Sequence, residues 1–453
     1  MTEQVCILLE NQTFSLIFAK NKNYSGLRMK TDYKSRIADR LLARKLAGKG
    51  AVLLEGAKWC GKTTTAEQIA KSVLYMSESD RSGQNSQLAR INPSVLLKGE
   101  KPRLIDEWQI APSLWDSIRF EADHSSELGL FILTGSSVPA DMSEVLHSGT
   151  GRIGWLRMRP MSLWESGDST GEVSLGELFK TPGTISGETS ADLERTAFLT
   201  CRGGWPLAVN MDEDIALDQA FDYIDAVEKR DISMADGINR DAVRTHRILR
   251  SYARHQGAQA SYGTIKADLA ANESDSFDED TISSYISALK KIFVIEDSEA
   301  WNPNLRSKTA IRTSDTRYFT DPSIATAALG LGPEDLINDL NTFGLIFETL
   351  CVRDLRVYAE ALNGNIYHYR DKNGLECDAV VHLRNGNYGL VEIKIGGDNL
   401  INDGVSTLKA LEEKIDPERM KKPSFLMVLT AVGPYAYRRE DGVYIVPIGC
   451  LKD

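Results

Sequence analysis

The stretch that most constrains this chain is short. An apolar run, AVLLE (51–55), meets a glycine loop, GAKWCGKT (56–63), and the run TTTAEQIAKSVLYM (63–76) follows. Four consecutive apolar residues, Ala51 to Leu54, predict a buried strand of a parallel sheet. The loop satisfies G-x-x-x-x-G-K-[ST] with Gly56, Ala57, Lys58, Trp59, Cys60, Gly61, Lys62 and Thr63, and Thr64 follows. Glycines let the backbone curl until its N–H groups point at phosphate oxygens. The helix expected from Lys62 onward adds its positive end. Lys62 then reaches the β- and γ-phosphates, and the Thr63 hydroxyl ligates Mg²⁺. Such a loop between strand and helix leaves little room for any fold but α/β, with ATP as the ligand.

The alternation continues. Ile37, Leu41, Leu42 and Leu46 recur at helical spacing over 33–47, and Gly48 and Gly50 stop that helix. RLIDEW (103–108) reads as a strand ending in two acids, PSLWDSIRFEADH (112–124) as a helix, and LGLFILTGSS (128–137) as a second buried strand. Asp106 is expected to hold Mg²⁺ and Glu107 to orient or deprotonate water. Thr134 or Ser136 would bond the γ-phosphate or its water.

At 453 residues the chain exceeds one ordinary domain. A net charge of −11 argues against a protein that coats nucleic acid. Cys6, Cys60, Cys201, Cys351, Cys377 and Cys450 form no CxxC pair, which fits reduced thiols in a cytoplasm. No apolar run approaches the ~20 residues of a membrane span. The opening residues lack a signal peptide's pattern: Glu3 and Glu10 interrupt their apolar patches. They are read as a β-rich accessory extension, and Met29 offers an alternative start.

Four regions are expected: an extension at 1–32, the phosphate-loop domain at 33–190, a helical region at 191–330 and an α/β domain at 331–453. GDSTGEVSLGELFKTPGTISGETSADLER (167–195) is rich in Gly, Ser and Thr and reads as a linker. RTHRILRSYARHQG, SYGTIKADLAA and DEDTISSYISALKKIFVIED read as three helices and a strand, the order of a winged helix. If that unit read DNA, Ser283, Ser284, Tyr285 and Lys290 would face the groove. Asp275, Asp278, Glu279 and Asp280, just before or at the start of that helix, sit poorly beside phosphates.

In the last third a long helix precedes three strands, IYHYR (366–370), LECDAVVHL (375–383) and YGLVEIKI (388–395). They place Glu348 on the helix, Asp378 on a strand, and Glu392 and Lys394 on one face of the next. Paired carboxylates with a lysine suit metal-dependent phosphodiester cleavage. The pattern is similar to the PD-(D/E)xK nucleases, a restriction-endonuclease-like α/β fold. Tyr367, His368, Tyr369 and Arg370 would either touch nucleic acid or form an aromatic edge strand.

The order of the phosphate loop, LIDEW, LTGSS, GRIGWLRMRPMSLWE and GGWP resembles a family of prokaryotic AAA-type ATPases with a C-terminal domain of unknown function 4143. The resemblance covers nearly all of 33–450. It implies an AAA+ fold close to the archaeal and STAND ATPases, ATP hydrolysis with Mg²⁺, and a winged helix packed as a regulatory lid. By the same likeness Arg152 is an arginine sensor or finger, and Pro206 lines the nucleotide base. A finger supplied by a neighbour implies a homo-oligomer, and DNA is a candidate partner. The family loop commonly carries Arg-Gln where this chain has Lys58 and Trp59, so Trp59 would pack on the base or on a neighbour. Cys60 reads as a small buried filler beside the phosphates. The alternative is a signalling or assembly ATPase whose C-terminal domain is a scaffold.

Overall fold

The computed structural model describes residues 33–453 except 79–81, 139–147, 181–182, 184, 274–275, 303–313, 417 and 419. The expected extension at 1–32 and Asp275 therefore lie outside the described residues.

Helix α1 (Ile37–Leu46) buries Ile37, Leu41, Leu42 and Leu46 along one face. Strand β1 (Ala51–Glu55) follows, then α2 (Lys62–Glu67). That helix is only six residues long. The helix expected to run on to Met76 instead gives way to β2 (Ser72–Tyr75). There Val73, Leu74 and Tyr75 pair in register with β3 (Arg103–Asp106). A β-branched and aromatic run beside a free sheet edge favours the extended form over helical continuation. After α3 (Leu114–His124) come β4 (Phe131–Gly135) and β5 (Ile153–Arg157). The five strands are parallel, in the order β2-β3-β4-β1-β5. Both faces are covered, as the unbroken apolar reading of β1 and β4 requires.

The segment expected to be a linker is built into the C-terminal sheet. Val173, Leu175 and Leu178 are buried. β6 (Val173–Ser174) and β7 (Gly187–Glu188) flank a short helix (Leu175–Lys180). The middle region comprises α4 (Leu193–Arg202), α5 (Glu213–Ala226), a π-helical turn (Val227–Asp231), α6 (Ala242–Arg254), α7 (Tyr262–Asn272) and α8 (Glu279–Lys291). Two antiparallel bridges follow, Ile295 with Phe319 and Ser298 with Thr316.

On α8 the residues expected to face a DNA groove are committed elsewhere. Tyr285 is buried, and the Ser284 hydroxyl accepts from Arg240 (3.0 Å). Lys290 pairs with Asp297 (2.7 Å), and Ser283 is half-buried. The Asp278 carboxylate accepts from Thr281 N as the helix cap, with Glu279 and Asp280 in the first turn. Acids at a helix N-terminus are stabilised by its dipole, which accounts for them without a ligand.

The long α9 (Leu340–Ala361) leads into β8 (Gly364–Arg370), β9 (Glu376–Leu383) and β10 (Tyr388–Lys394), an antiparallel meander. α10 (Asp398–Lys414) then crosses over to β11 (Leu426–Thr430), which is parallel to β10. β12 (Tyr435–Arg438) and β13 (Tyr444–Pro447) complete a seven-stranded sheet, β7-β12-β13-β11-β10-β9-β8. β14 (Leu451–Lys452) pairs with β6. One apolar core joins Leu54, Leu156, Tyr223, Ile248, Phe347 and Val391 across all three regions. Separate clusters cover the far face of the first sheet, around Leu133 and Ile118, and of the second, around Leu390 and Leu408.

Candidate functional site

The loop leaves the C-terminal end of β1. A Cβ at Gly56 would lie 2.0 Å from the Met158 carbonyl oxygen, so only glycine passes there. The Lys62 ammonium donates to the carbonyls of Gly56 (2.9 Å) and Ala57 (2.8 Å) and is buried. The Cys60 thiol is buried and faces the Met158 carbonyl (3.5 Å), a packing role as expected of a small filler. Thr64 is half-buried on the first turn of α2, and its carbonyl accepts from Gln68 (3.0 Å).

Three strand ends meet beside the loop. The hydroxyls of Thr63 and Thr134 both donate to Asp106 Oδ1, each at 2.6 Å. Strand β4 lies between β1 and β3, which is why its last polar residue bridges the two motifs. Glu107 adopts φ 56°, the left-handed region, and turns the chain out of β3 into Trp108–Ile110. Its backbone N–H donates to Thr134 Oγ1 (3.3 Å). Its carboxylate accepts from the Ser136 hydroxyl (2.8 Å) and from Gln109 Nε2. A non-glycine residue held in this conformation at a cluster of acids and hydroxyls is the kind of local strain found at functional sites. Gln109 escaped the sequence reading. Its only signal there is its place two residues after Glu107.

The loop is also tied to the middle region. Lys58 pairs with Asp231 in the π-helical turn (2.6 Å). Trp59, at φ 66° and about half exposed, packs edge-on against Tyr223 (5.6 Å), which stacks on Trp205 (4.5 Å). The partner of Trp59 is thus an internal aromatic. A side chain at Gly61 would meet the Pro206 ring (3.3 Å), so the GGWP element does approach the loop. From below, buried Arg36 donates to the carbonyls of Cys60 and Arg159, each at 2.9 Å, and pairs with Glu165 (3.1 Å).

Arg152 is a correction. Its carbonyl accepts from Gly50 and Ala51 at the start of β1, and Ile153 is the register partner of Ala51. The loop leaves the other end, roughly 16 Å away at the rise of a strand. The exposed guanidinium pairs with Asp123. Arg152 is not part of its own chain's loop site.

The C-terminal residues converge, but into a closed arrangement. The Lys394 ammonium pairs with Glu392 (2.6 Å) and Asp378 (3.4 Å). Asp378 also accepts from Ile393 N (2.7 Å). Glu348 accepts from the Tyr318 hydroxyl. Burial and the charge of Asp378 raise the pKa of Glu392 to about 8, against the pull of Lys394. Burial and Asp378 also hold the Glu348 carboxyl well above its usual range. Burial opposes charge on Lys394, but Asp378 and Glu392 outweigh it and keep the ammonium protonated. Glu392 Oε1 and Thr430 Oγ1 are buried without a hydrogen-bond partner among the described residues. Among those residues no group of three or more His, Cys, Asp or Glu side chains is placed to hold a metal ion. On β8, Tyr369 and His368 are buried, Tyr367 is half-buried and Arg370 pairs with Glu376 (2.9 Å). They form the aromatic edge strand.

Residues 48–166 match a family model described as an AAA domain. Residues 343–451 match a domain of unknown function (DUF4143), and residues 193–335 another (DUF8612). No curated protein matches. Among solved structures, a Walker-type ATPase of Pyrococcus abyssi is 15% identical at a TM-score of 0.41, covering 66% of this chain and 97% of its own. The ORC2 protein of Aeropyrum pernix, in ADPNP–ADP complexes, is 14% identical at 0.29, with coverages of 61% and 90%. The ORC1 protein of Aeropyrum pernix, in complex with DNA, is 14% identical at 0.23, with coverages of 69% and 96%. The assignment of an AAA domain rests on the family match and on the sheet with its loop. Among the described residues no helix is long and apolar enough to cross a membrane.

Proposed function

We propose that this chain is a Mg²⁺-dependent ATPase of AAA+ type whose nucleotide state controls a winged-helix middle region and a nuclease-like C-terminal module acting on DNA. One observation carries the ATPase reading: Thr63 and Thr134 share Asp106, while Ser136 and Gln109 hold Glu107 beside them. Among the described residues Lys62 bonds only backbone carbonyls, which it can exchange for phosphate oxygens. Thr63 Oγ1 and Asp106 are hard oxygen donors that suit Mg²⁺, which otherwise keeps waters and phosphate oxygens. Bound there, the ion would neutralise charge on the β- and γ-phosphates. Glu107, clamped from two sides, would orient the attacking water and take its proton.

The ties through Lys58, Trp59 and Pro206 support the middle region as a lid that reads the loop. Three helices followed by antiparallel bridges support a winged helix in that role. With Arg152 outside the site, a catalytic arginine would come from a neighbouring copy in a homo-oligomer. The helix, three-strand meander, crossover helix and parallel strand of the C-terminal sheet support a nuclease-like fold. Its carboxylates are not arranged as a metal-binding group, so no metal step is derived there. The ion pairs that close this cluster favour a second reading, a signalling or assembly ATPase with the domain as scaffold.

The test is ATP hydrolysis by wild type and Glu107→Gln, each with and without DNA. Turnover lost in the variant supports the site, and stimulation by DNA supports the partner. Wild-type turnover in Glu107→Gln refutes the assigned base. Metal-dependent DNA cleavage lost in Asp378→Ala and Lys394→Ala would displace the scaffold reading.

A further inference from the structure

Two surfaces of this chain carry charges of opposite sign that the fold leaves unanswered. The first is the outer face of α5. The helix buries Ala216, Ala220, Tyr223 and Ile224. Its opposite side carries Asp214, Asp218 and Asp222, spaced by four, with Asp225 in the same row at about 3.6 residues per turn. All four are exposed. Asp225 pairs with Lys229, but Asp214, Asp218 and Asp222 make no ion pair among the described residues. Like charges four apart on a helix repel and weaken it. The helix dipole accounts for Asp214 in the first turn, but not for Asp218 and Asp222 beyond it. Phe221 and Ile215, both about half exposed, border the acidic row on its two sides.

The second surface is the rim of a cleft of about 700 Å³ between α1, β5 and the start of β8. The inner charges of the cleft are paired off. Glu55 bonds Arg157 (2.9 Å), and Arg159 bonds both Glu296 (2.6 Å) and Glu360 (2.9 Å). On the rim, Arg44 and Lys45 come from the last turn of α1, Lys49 from just beyond it, and Arg384 from the turn between β9 and β10. None of the four makes an ion pair among the described residues, and Lys49 reaches only the Gly151 carbonyl (3.1 Å). Burial, and then repulsion from Arg384, Arg44 and Lys49, lowers the Lys45 pKa against the attraction of Glu360. The four cations therefore feel one another. The dipole of α1 favours Arg44 and Lys45, but it does not bring Arg384 to the same rim. Glu299 is the exposed acid on this cleft.

Each surface repels itself and suits the other. A nucleic acid would answer the cations and leave the acids of α5 uncovered, whereas a second copy of this chain answers both. We propose that the chain self-associates head to tail, with the Asp214, Asp218 and Asp222 face of α5 in one copy seated on the Arg44, Lys45, Lys49 and Arg384 rim of the next. Two different patches of one chain make a heterologous contact, which repeats from copy to copy into a ring or a filament. Complementary charge sets the register and the rate of such an encounter. The proposal rests on the homo-oligomer of the function above and names its surfaces.

The experiment is size-exclusion chromatography with light scattering on the full chain, at low and high salt, with and without ATP. Wild type should self-associate at low salt and dissociate as salt rises, because exposed charges carry the contact. Asp218→Lys/Asp222→Lys and Arg44→Glu/Arg384→Glu should each raise the dissociation constant about tenfold or more, with the melting temperature unchanged. Mixing the two double variants, or combining all four substitutions in one chain, sets opposite charges against each other again. Either should restore the oligomer, a rescue that a misfolded variant cannot give. Loss of association without rescue overturns the proposal. Wild-type association in both double variants overturns these surfaces and leaves the homo-oligomer standing. A wild type that stays monomeric throughout removes both the surfaces and the homo-oligomer, while the ATPase stands or falls on its hydrolysis assay. If that monomer binds labelled oligothymidylate and Arg44→Glu/Arg384→Glu does not, the occupant of the cleft is nucleic acid and the proposal falls.

Discussion

Two places in this molecule bring carboxylates to a lysine, and they are built oppositely. At the phosphate loop Lys62 bonds, among the described residues, only carbonyl oxygens, and the acids are held by hydroxyls and an amide. Among the described residues Lys62, Asp106 and Glu107 make no ion pair, so an arriving phosphate and its cation meet groups still able to respond. In the C-terminal sheet Lys394 lies between Glu392 and Asp378, bound to carboxylates and not to carbonyls. Similar residue types therefore leave the lysine on exchangeable carbonyls in one region and in ion pairs in the other. What differs is whether the lysine's partner is a dipole or an opposite charge.

The comparison breaks most cleanly on a pair of matched substitutions. Lys62→Met should abolish ATP turnover, a loss of a hundredfold or more, while shifting the melting temperature little. Lys394→Met should do the reverse. It leaves the buried Glu392 and the half-buried Asp378 without their ammonium, and breaking a buried pair costs about 3–5 kcal/mol. ATP turnover per folded molecule should persist. Thermal melts and hydrolysis assays on both proteins decide it, and a Lys394→Met protein of wild-type stability would refute the closed cluster.

Next in size is a pH effect. Glu392 rises from 4.5 to about 8 on folding, so the folded state holds a proton that the unfolded chain releases. Its contribution to stability is whole below about pH 4.5 and is lost as pH rises through about 8. Glu348 shifts in the same direction. Wild type should therefore lose a few degrees of melting temperature between pH 5 and 8. Glu392→Gln should show a shallower slope and be the more stable protein at pH 8. Parallel slopes would mean that Lys394 keeps Glu392 charged throughout.

The two regions were also unequally legible. The phosphate-loop site was written in short, contiguous motifs: Gly56–Thr63 curls within itself, and Asp106, Glu107 and Thr134 sit at strand ends that apolar runs announce. In a parallel sheet those ends must gather at one edge. Arg152, as a residue of its own chain's site, failed for the complementary reason. It lies beside a strand start, and nothing local distinguishes that from the end where the loop emerges. The C-terminal order of Glu348, Asp378, Glu392 and Lys394 was legible too, but not its closure, which depends on Tyr318 from another region. The stretch 167–195 looked like a linker because its glycines and serines outnumber Val173, Leu175 and Leu178. Those three are buried, and β6 and β7 on either side of the short helix pair with strands far along the chain.

The smallest expected effect tests the outer ties of the loop. Lys58 is 42% exposed in its pair with Asp231, so solvent screening leaves that pair about 1 kcal/mol or less. Lys58→Ala and Asp231→Asn should each lower the melting temperature only slightly, and the double variant should be no worse than the sum of the two. Such weak ties suit a loop that must exchange internal contacts for phosphate contacts. A loss comparable with Lys394→Met would mean the loop is clamped as firmly as the C-terminal cluster. The contrast between a responsive site and a closed one would then have to be abandoned.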